Sequence, residues 1–359
     1  NTQSKMFCGC AVTDTTTAEP NTAICPVCTG LPGALPVVNR RAVELAMRVG
    51  LALNCEINAF TRFARKNYFY PDLPKGYQIS QFDHPIATEG WIDLEVEGEA
   101  HRVRIRRAHM EEDTAKLYHE HGDWISPESR TLIDFNRAGV PLLEIVSEPD
   151  MHTVAAALAY ATKIREMLRY LDVNSGDMAR GVLRFEANVS VRPPGSRTLG
   201  TRTEIKNLNS FRALSRAVAY ELQRQSGLLD AGDEVQQETL GWDEARGTTY
   251  SQRSKEYAHD YRYFPEPDLP PLTIDQAWVE AVRRQLPELP DAKRVRFVDA
   301  YGLPVGDVDI LVTERPLADY FEATVAAYDG DPASVSNWIV GPLAHLMNRE
   351  GITIDEVRI

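Results

Sequence analysis

Four of the five cysteines fall as two close pairs, Cys8 with Cys10 and Cys25 with Cys28, on either side of Ala11 to Ile24, whose Thr, Pro and Asn residues read as irregular loop. Thiols at this spacing make the first thirty residues close on themselves. Four soft sulfur donors at about 2.3 Å suit a tetrahedral Zn²⁺ and leave no coordination position open, so the spacing predicts a structural zinc knuckle over residues 8–28. A redox pair or unrelated buried thiols are the competing readings. Cys55 stands alone in the apolar run Leu51 to Ile57 and reads as a small core residue.

Behind the cysteines, periodicity sets the elements. Asn39 precedes Arg40 to Leu53, where Val43, Met47 and Leu51 recur at helical spacing. Ile92, Leu94 and Val96 alternate with polar residues, Glu97-Gly98-Glu99 can turn, and Val103 and Ile105 alternate with Arg102, Arg104 and Arg106, which predicts an antiparallel hairpin. Met151 to Leu171 carries Val154, Leu158, Ala161, Ile164 and Leu168 on one helical face. Leu183, Phe185, Ala187, Val189 and Val191 then point one way and Arg184, Glu186, Asn188, Ser190 and Arg192 the other. After Pro193-Pro194-Gly195, Thr201, Thr203 and Ile205 against Arg202, Glu204 and Lys206 form a partner strand, followed by a helix from Ser210. Beyond Pro271 the pattern turns helical, over Ile274–Leu286, Asp291–Tyr301, Leu317–Tyr328 and Ser334–Asn348. The expected fold class is α+β: an antiparallel-sheet domain over 1–286, then the start of a helical domain over 287–359.

With 359 residues, 43% hydrophobic and 25% charged, the chain has the composition of a folded protein of about two domains. No apolar window of about 18 residues suggests a membrane span, and no signal peptide opens the chain, so a cytoplasmic protein is expected. The first residue is Asn, so the sequence is expected to start inside the gene product. A net charge of −13 argues against binding nucleic acid through overall charge, leaving only local contacts.

Polar groups gather in three places. The paired strands put Arg184, Glu186, Asn188, Arg202, Glu204 and Lys206 on one face, which is either a solvated surface or a working one. Glu111, Glu112 and Asp113 follow the arginine-rich strand, and Glu144 and Glu148 lie in Pro141 to Asp150. Carboxylates gathered from separate segments are the hard oxygen ligands Mg²⁺ prefers, in sites completed by water and nucleotide phosphates, and with Arg and Lys beside them they suit phosphoryl transfer. Arg65 to Asp72 and Lys75 to Asp83 mix aromatics with Lys, Asn, Asp and Gln, and could cap a core or line a site. Neither a P-loop nor a G-x-G-x-x-G appears, and no G-x-S-x-G or S-x-x-K points to an acyl-enzyme.

The segments Lys66 to Asp72, Tyr77 to Asp83, His109 to Asp113, Pro141 to Asp150, Glu204 to Phe211 and Asp260 to Asp268 closely resemble, in order, the family of B subunits of bacterial glutamine-dependent aspartyl/glutamyl-tRNA amidotransferases, from Ser4 to about Ile359. The resemblance implies a cradle-shaped catalytic domain of the glutamine synthetase/guanido kinase type followed by a helical domain. It implies ATP- and Mg²⁺-dependent phosphorylation of the side-chain carboxylate of Glu or Asp mischarged on tRNA-Gln or tRNA-Asn. Ammonia channelled from a glutaminase A subunit, braced by a small C subunit, then displaces phosphate; the cognate aminoacyl-tRNA synthetase is a further implied partner. By the family pattern Glu112 and Glu144 match Mg²⁺ ligands, with Glu111 and Glu148 as weaker candidates. Lys66 matches a lysine at the channel mouth, guiding ammonia or contacting the acyl phosphate, and Arg184, Glu186, Asn188 and Lys206 are expected phosphate or metal contacts. Family members carry a Glu-x-His pair ahead of the segment aligned with Asn1 and a tail domain beyond the segment aligned with Ile359; neither falls within this sequence, so the Mg²⁺ shell and the tRNA-binding surface are expected to be incomplete in it. A non-catalytic, zinc-stabilised tRNA-binding scaffold is the alternative from another class.

Overall fold

The computed structural model describes residues 1–120, 130–254 and 261–357. Asp260, which opens the last resemblance segment, and Ile359 lie outside the described residues. Two compact units emerge. The first comprises Asn1–Ala159, Phe185–Leu208 and Arg212–Gln285; the second comprises Tyr160–Arg184, Asn209–Phe211 and Leu286–Ile359.

The first unit is built on a seven-stranded antiparallel sheet. Its strands run in the order Glu56–Ile57, Ala87–Val96, Glu99–Glu112, Tyr77–Ser80, Ala64–Asn67 and Phe264–Pro265, with Pro141–Ser147 pairing on Glu99–Glu112 beside this path. The predicted hairpin is its centre: Ala87–Val96 turns through Glu97 and Gly98, both at positive φ, and Val96 pairs with Glu99. Burial alternates along Ala87–Val96, with Ile92 and Leu94 inside, because successive side chains leave opposite faces. The Arg40–Ala52 helix forms as its periodicity predicts. Asn39 caps it, accepting from the backbone N–H groups of Arg41 and Ala42, and it buries Val43, Met47 and Leu51.

A second sheet holds Phe185–Val189, Thr203–Leu208, Glu238–Asp243 and Thr248–Ser254. Its first pair is antiparallel, as the alternation predicts. Its middle pair is parallel, a departure from an all-antiparallel fold. The cause is the Phe211–Asp230 helix between those two strands: a crossover of that length returns the chain in the same direction, where a tight turn would reverse it.

The helices of the second unit pack around Tyr170, Phe297, Leu311, Ala318 and Phe321, all fully buried. The Tyr170 hydroxyl donates to the carbonyl of Val312 at 2.8 Å. Two expectations change here. The helix foreseen over Ser334–Asn348 is Pro332–Trp338, a wide turn at Ile339–Leu343, then Ala344–Glu350, because Pro342 has no N–H to continue the ladder. A short helix, Val305–Leu311, lies between the helices expected over Asp291–Tyr301 and Leu317–Tyr328. Among the described residues, no helix is long and apolar enough to cross a membrane.

Cys55 is buried, and burial pushes its thiol up to about 11. It explains one glycine. A Cβ on Gly90 would stand 2.3 Å from the Cys55 sulfur and 2.4 Å from the Leu53 carbonyl oxygen. Gly90 has an ordinary φ, so alanine there would usually stabilise by restricting the unfolded chain. Overpacking is expected to win: Gly90→Ala should lower stability by about 1–3 kcal/mol, read as an earlier urea midpoint, and an unchanged or later midpoint would contradict this close approach.

Candidate active site

The Glu99–Glu112 strand assembles the site. His109 stands directly across from Glu144 of Pro141–Ser147, and Glu111 follows His109 by two residues, so all three leave the same face. Their ligand atoms lie within 4.8 Å of one another. His109 Nε2 is 3.2 Å from Glu111 Oε1 and 3.7 Å from Glu144 Oε2. Ser80 Oγ donates to Glu111 Oε1 at 2.7 Å and Gln78 Nε2 to Glu111 Oε2 at 3.2 Å, from a strand that pairs with Glu99–Glu112 at Ser80 and Glu111. Burial would raise the Glu111 carboxyl, but the His109 hydrogen bond, the Lys66 charge and Ser80 hold it down at about 2. An ionised carboxylate only accepts, so His109 donates from Nε2.

Glu112 is elsewhere, which corrects the pairing of Glu112 with Glu144. Adjacent strand residues point to opposite faces, so Glu112 turns away from Glu144 and is buried. Its Oε1 accepts from Lys75 Nζ and, at 2.9 Å, from the Ile79 N–H. Glu148 is also apart: both its oxygens are taken by Arg106, at 2.8 and 2.9 Å.

Aromatic and cationic groups surround the cluster. Lys66 Nζ sits 5.0 Å from the Tyr261 ring centroid, and Tyr261 packs edge-on against both Tyr68 and Tyr263. Burial raises the Tyr263 phenol, with Glu111 and Glu144 adding to the rise, and burial raises Tyr68, with Asp72 and Glu111 adding. From the second sheet, Lys206 Nζ lies 3.3 Å from Glu186 Oε1 and 3.9 Å from Glu204 Oε1. Burial raises the Glu186 carboxyl against the pull of Lys206, and Glu144 contributes to the rise, while Tyr261 adds to the upward shift of Lys206. Lys66, Glu111, Glu144, Glu186 and Lys206 thus share one electrostatic neighbourhood. Asn188 is exposed, opposite Glu204 in the ladder. Arg184 is exposed and belongs to the second unit. His109 is the residue that sequence reasoning missed, although the period of two that places Glu111 on this face places His109 there as well.

The four cysteines also meet. A tight reversal, with the Lys5 N–H donating to the Cys10 carbonyl at 2.9 Å, carries Cys8 and Cys10, and a turn closed by Thr29 carries Cys25 and Cys28. Buried Asp134 and Asn136 hold the loop between the pairs, accepting from the N–H groups of Asn21 and Ala23 at 3.0 and 2.8 Å. All four sulfurs lie within 4.8 Å of one another, and those of Cys25 and Cys28 are 3.9 Å apart. A disulfide needs about 2.05 Å, whereas sulfurs at about 2.3 Å from one tetrahedral ion stand about 3.8 Å apart. The donor set fits Zn²⁺. The hydrogen bond from Cys8 and the Lys5 charge lower the Cys28 thiol to about 4, against the rise that burial would give.

The GatB/GatE catalytic domain family model matches residues 1–280. The chain is 54% identical over 351 residues to the B subunit of the aspartyl/glutamyl-tRNA(Asn/Gln) amidotransferase of Moorella thermoacetica, covering 98% of this chain and 72% of that relative. It is 52% identical to the protein of the same description from a Thermoanaerobacter species, covering 100% of this chain and 74% of the relative, and 52% identical to that of a Roseiflexus species, covering 98% and 71%. With a His109–Glu111–Glu144 cluster and a four-cysteine cluster both assembled within the span that carries these likenesses, the chain belongs to the family of aspartyl/glutamyl-tRNA amidotransferase B subunits.

Proposed function

We propose that this chain is the kinase and transamidase subunit of a tRNA-dependent amidotransferase: it phosphorylates the side-chain carboxylate of Glu-tRNA(Gln) or Asp-tRNA(Asn) with ATP and Mg²⁺, and ammonia from a glutaminase A subunit, braced by a C subunit, displaces the phosphate. The observation that carries this reading is the meeting of Glu111, Glu144 and His109 on one face with Lys66 and the Glu186–Lys206 pair beside them. A carboxylate and a nucleotide phosphate are both anions, so a site that joins them must offset their repulsion. Bound Mg²⁺ supplies part of that charge and polarises the transferred phosphoryl group. Glu111 and Glu144 are the oxygen donors that would hold it. Ser80 and Gln78 fix both Glu111 oxygens, which pre-orients that carboxylate, while half-exposed Glu144 can swing to a ligand. Lys66 and Lys206 supply fixed positive charge for the incoming anions. In the same reading the antiparallel sheet is the floor of a catalytic cradle, residues 1–286 form the catalytic domain, 287–359 begin the helical domain, and Cys8, Cys10, Cys25 and Cys28 form the structural zinc knuckle.

In the full-length subunit assembled with its partner subunits, Glu111→Gln or Glu144→Gln is expected to lower ADP formation dependent on Glu-tRNA(Gln) by about 100-fold or more while leaving assembly and glutamine hydrolysis intact. Unchanged ADP formation would favour the non-catalytic scaffold. Glu112→Gln should behave differently: it leaves Lys75 buried without its acid and is expected to lower stability by about 3 kcal/mol, seen in a denaturant titration. A Glu112→Gln protein as stable as the parent yet devoid of phosphorylation would return Glu112 to the catalytic set.

For the knuckle, Cys25→Ser is expected to lose its zinc in elemental analysis and to melt earlier, because binding of a structural ion is part of the folding free energy. Full zinc content in that variant would remove Cys25 from the ligand set.

A further inference from the structure

Lys5 is fully buried. Its Nζ lies 3.5 Å from Cys28 Sγ and 3.2 Å from the Phe135 carbonyl oxygen, and among the described residues it makes no ion pair with a carboxylate. The Glu112 carboxylate, which like the Lys5 side chain lies close to Gly139, is bonded to Lys75 and to the Ile79 N–H. An ammonium out of water needs an anion, and a neutral carbonyl cannot supply one. The sulfur of Cys28 is the partner within reach. Four thiolates around a divalent ion carry a net charge of minus two, itself costly in a buried setting.

We propose that Lys5 is the counter-cation of the four-cysteine metal centre: its ammonium donates an N–H···S hydrogen bond to the Cys28 thiolate and offsets one of the two net negative charges of the loaded site. This rests on the zinc reading of the knuckle and adds a residue outside the ligand set that governs how tightly the ion is held. The backbone keeps Lys5 in position. Its own N–H donates to the Cys10 carbonyl at 2.9 Å, and the next residue, Met6, donates to the Gly139 carbonyl at 2.7 Å. Gly139 in turn donates to the carbonyl of Asp113, just past the strand that carries His109 and Glu111. The lysine therefore ties the metal knuckle electrostatically to the loop that braces the catalytic strand. Lys5 does not touch substrate; it is a positioning residue.

The test uses the full-length subunit in its complex, with the metal alone as probe. Competition against a chromophoric chelator is expected to show a zinc dissociation constant about 10–100-fold higher in Lys5→Met than in the parent, the range typical for groups that hydrogen-bond metal ligands. In the cobalt-substituted centre, loss of the N–H···S bond raises the sulfur donor level, so the thiolate-to-cobalt charge-transfer band should move to lower energy. If Lys5→Met does not fold, Lys5→Gln, which is uncharged, is expected to weaken zinc binding to a similar degree. A Lys5 that only fills space would change the melting of metal-free and loaded protein alike, with affinity and band unmoved, and that result overturns the proposal. A parent protein that takes up neither zinc nor cobalt on four thiolates overturns the zinc reading itself, and the counter-cation role falls with it.

Discussion

The alternation of side chains along Glu99–Glu112 governs the rest of this structure. At the end of that strand two glutamates stand side by side in sequence and must leave by opposite faces. Glu111 turns to the face where Glu144 arrives from the neighbouring strand, in a setting of Gln78, Ser80, His109 and Lys66 that keeps it ionised although buried. Glu112 turns to the other face and binds Lys75 and the Ile79 N–H. One strand end thus sets one carboxylate beside His109 and Glu144 and the other against Lys75. Slipping its register by a single residue would exchange the two roles.

The same economy shows in the way the cysteine knuckle docks. The backbone from Lys5 to Met6 is pinned between Cys10 and Gly139, so the first residues of the chain fold onto the loop that leads into Pro141–Ser147, the strand of Glu144. The four-cysteine cluster is thereby joined through the backbone to the loop that supports the strand of Glu144. Beside Lys66, Tyr261 packs edge-on against both Tyr68 and Tyr263.

Much of this was legible in the chain itself, because periodicity and thiol spacing are local signals. The helix after Asn39, the hairpin through Glu97 and Gly98 and the antiparallel pairing of Phe185–Val189 with Thr203–Leu208 follow from which residues alternate and where glycine allows a turn. The cysteines announced their own convergence. Less visible were elements with weak patterns: the short helix Val305–Leu311, and the parallel pairing of Thr203–Leu208 with Glu238–Asp243, whose strands lie about thirty residues apart and have a helix between them.

What the sequence determined by itself was the inventory: four thiols able to take one tetrahedral ion, a supply of carboxylates and lysines suited to anionic substrates, and alternations that make sheets. Only the tertiary structure decided which carboxylates meet. Glu111 and Glu144 are neighbours because an antiparallel register sets His109 opposite Glu144, and no local pattern reports which residue of a distant strand will stand across the ladder. Lys5 was likewise silent in the sequence. A lysine at the end of the polar stretch Asn1 to Ser4 reads as a solvated surface group, and it becomes a buried side chain beside Cys28 because the fold shuts out the water that would otherwise hold its charge.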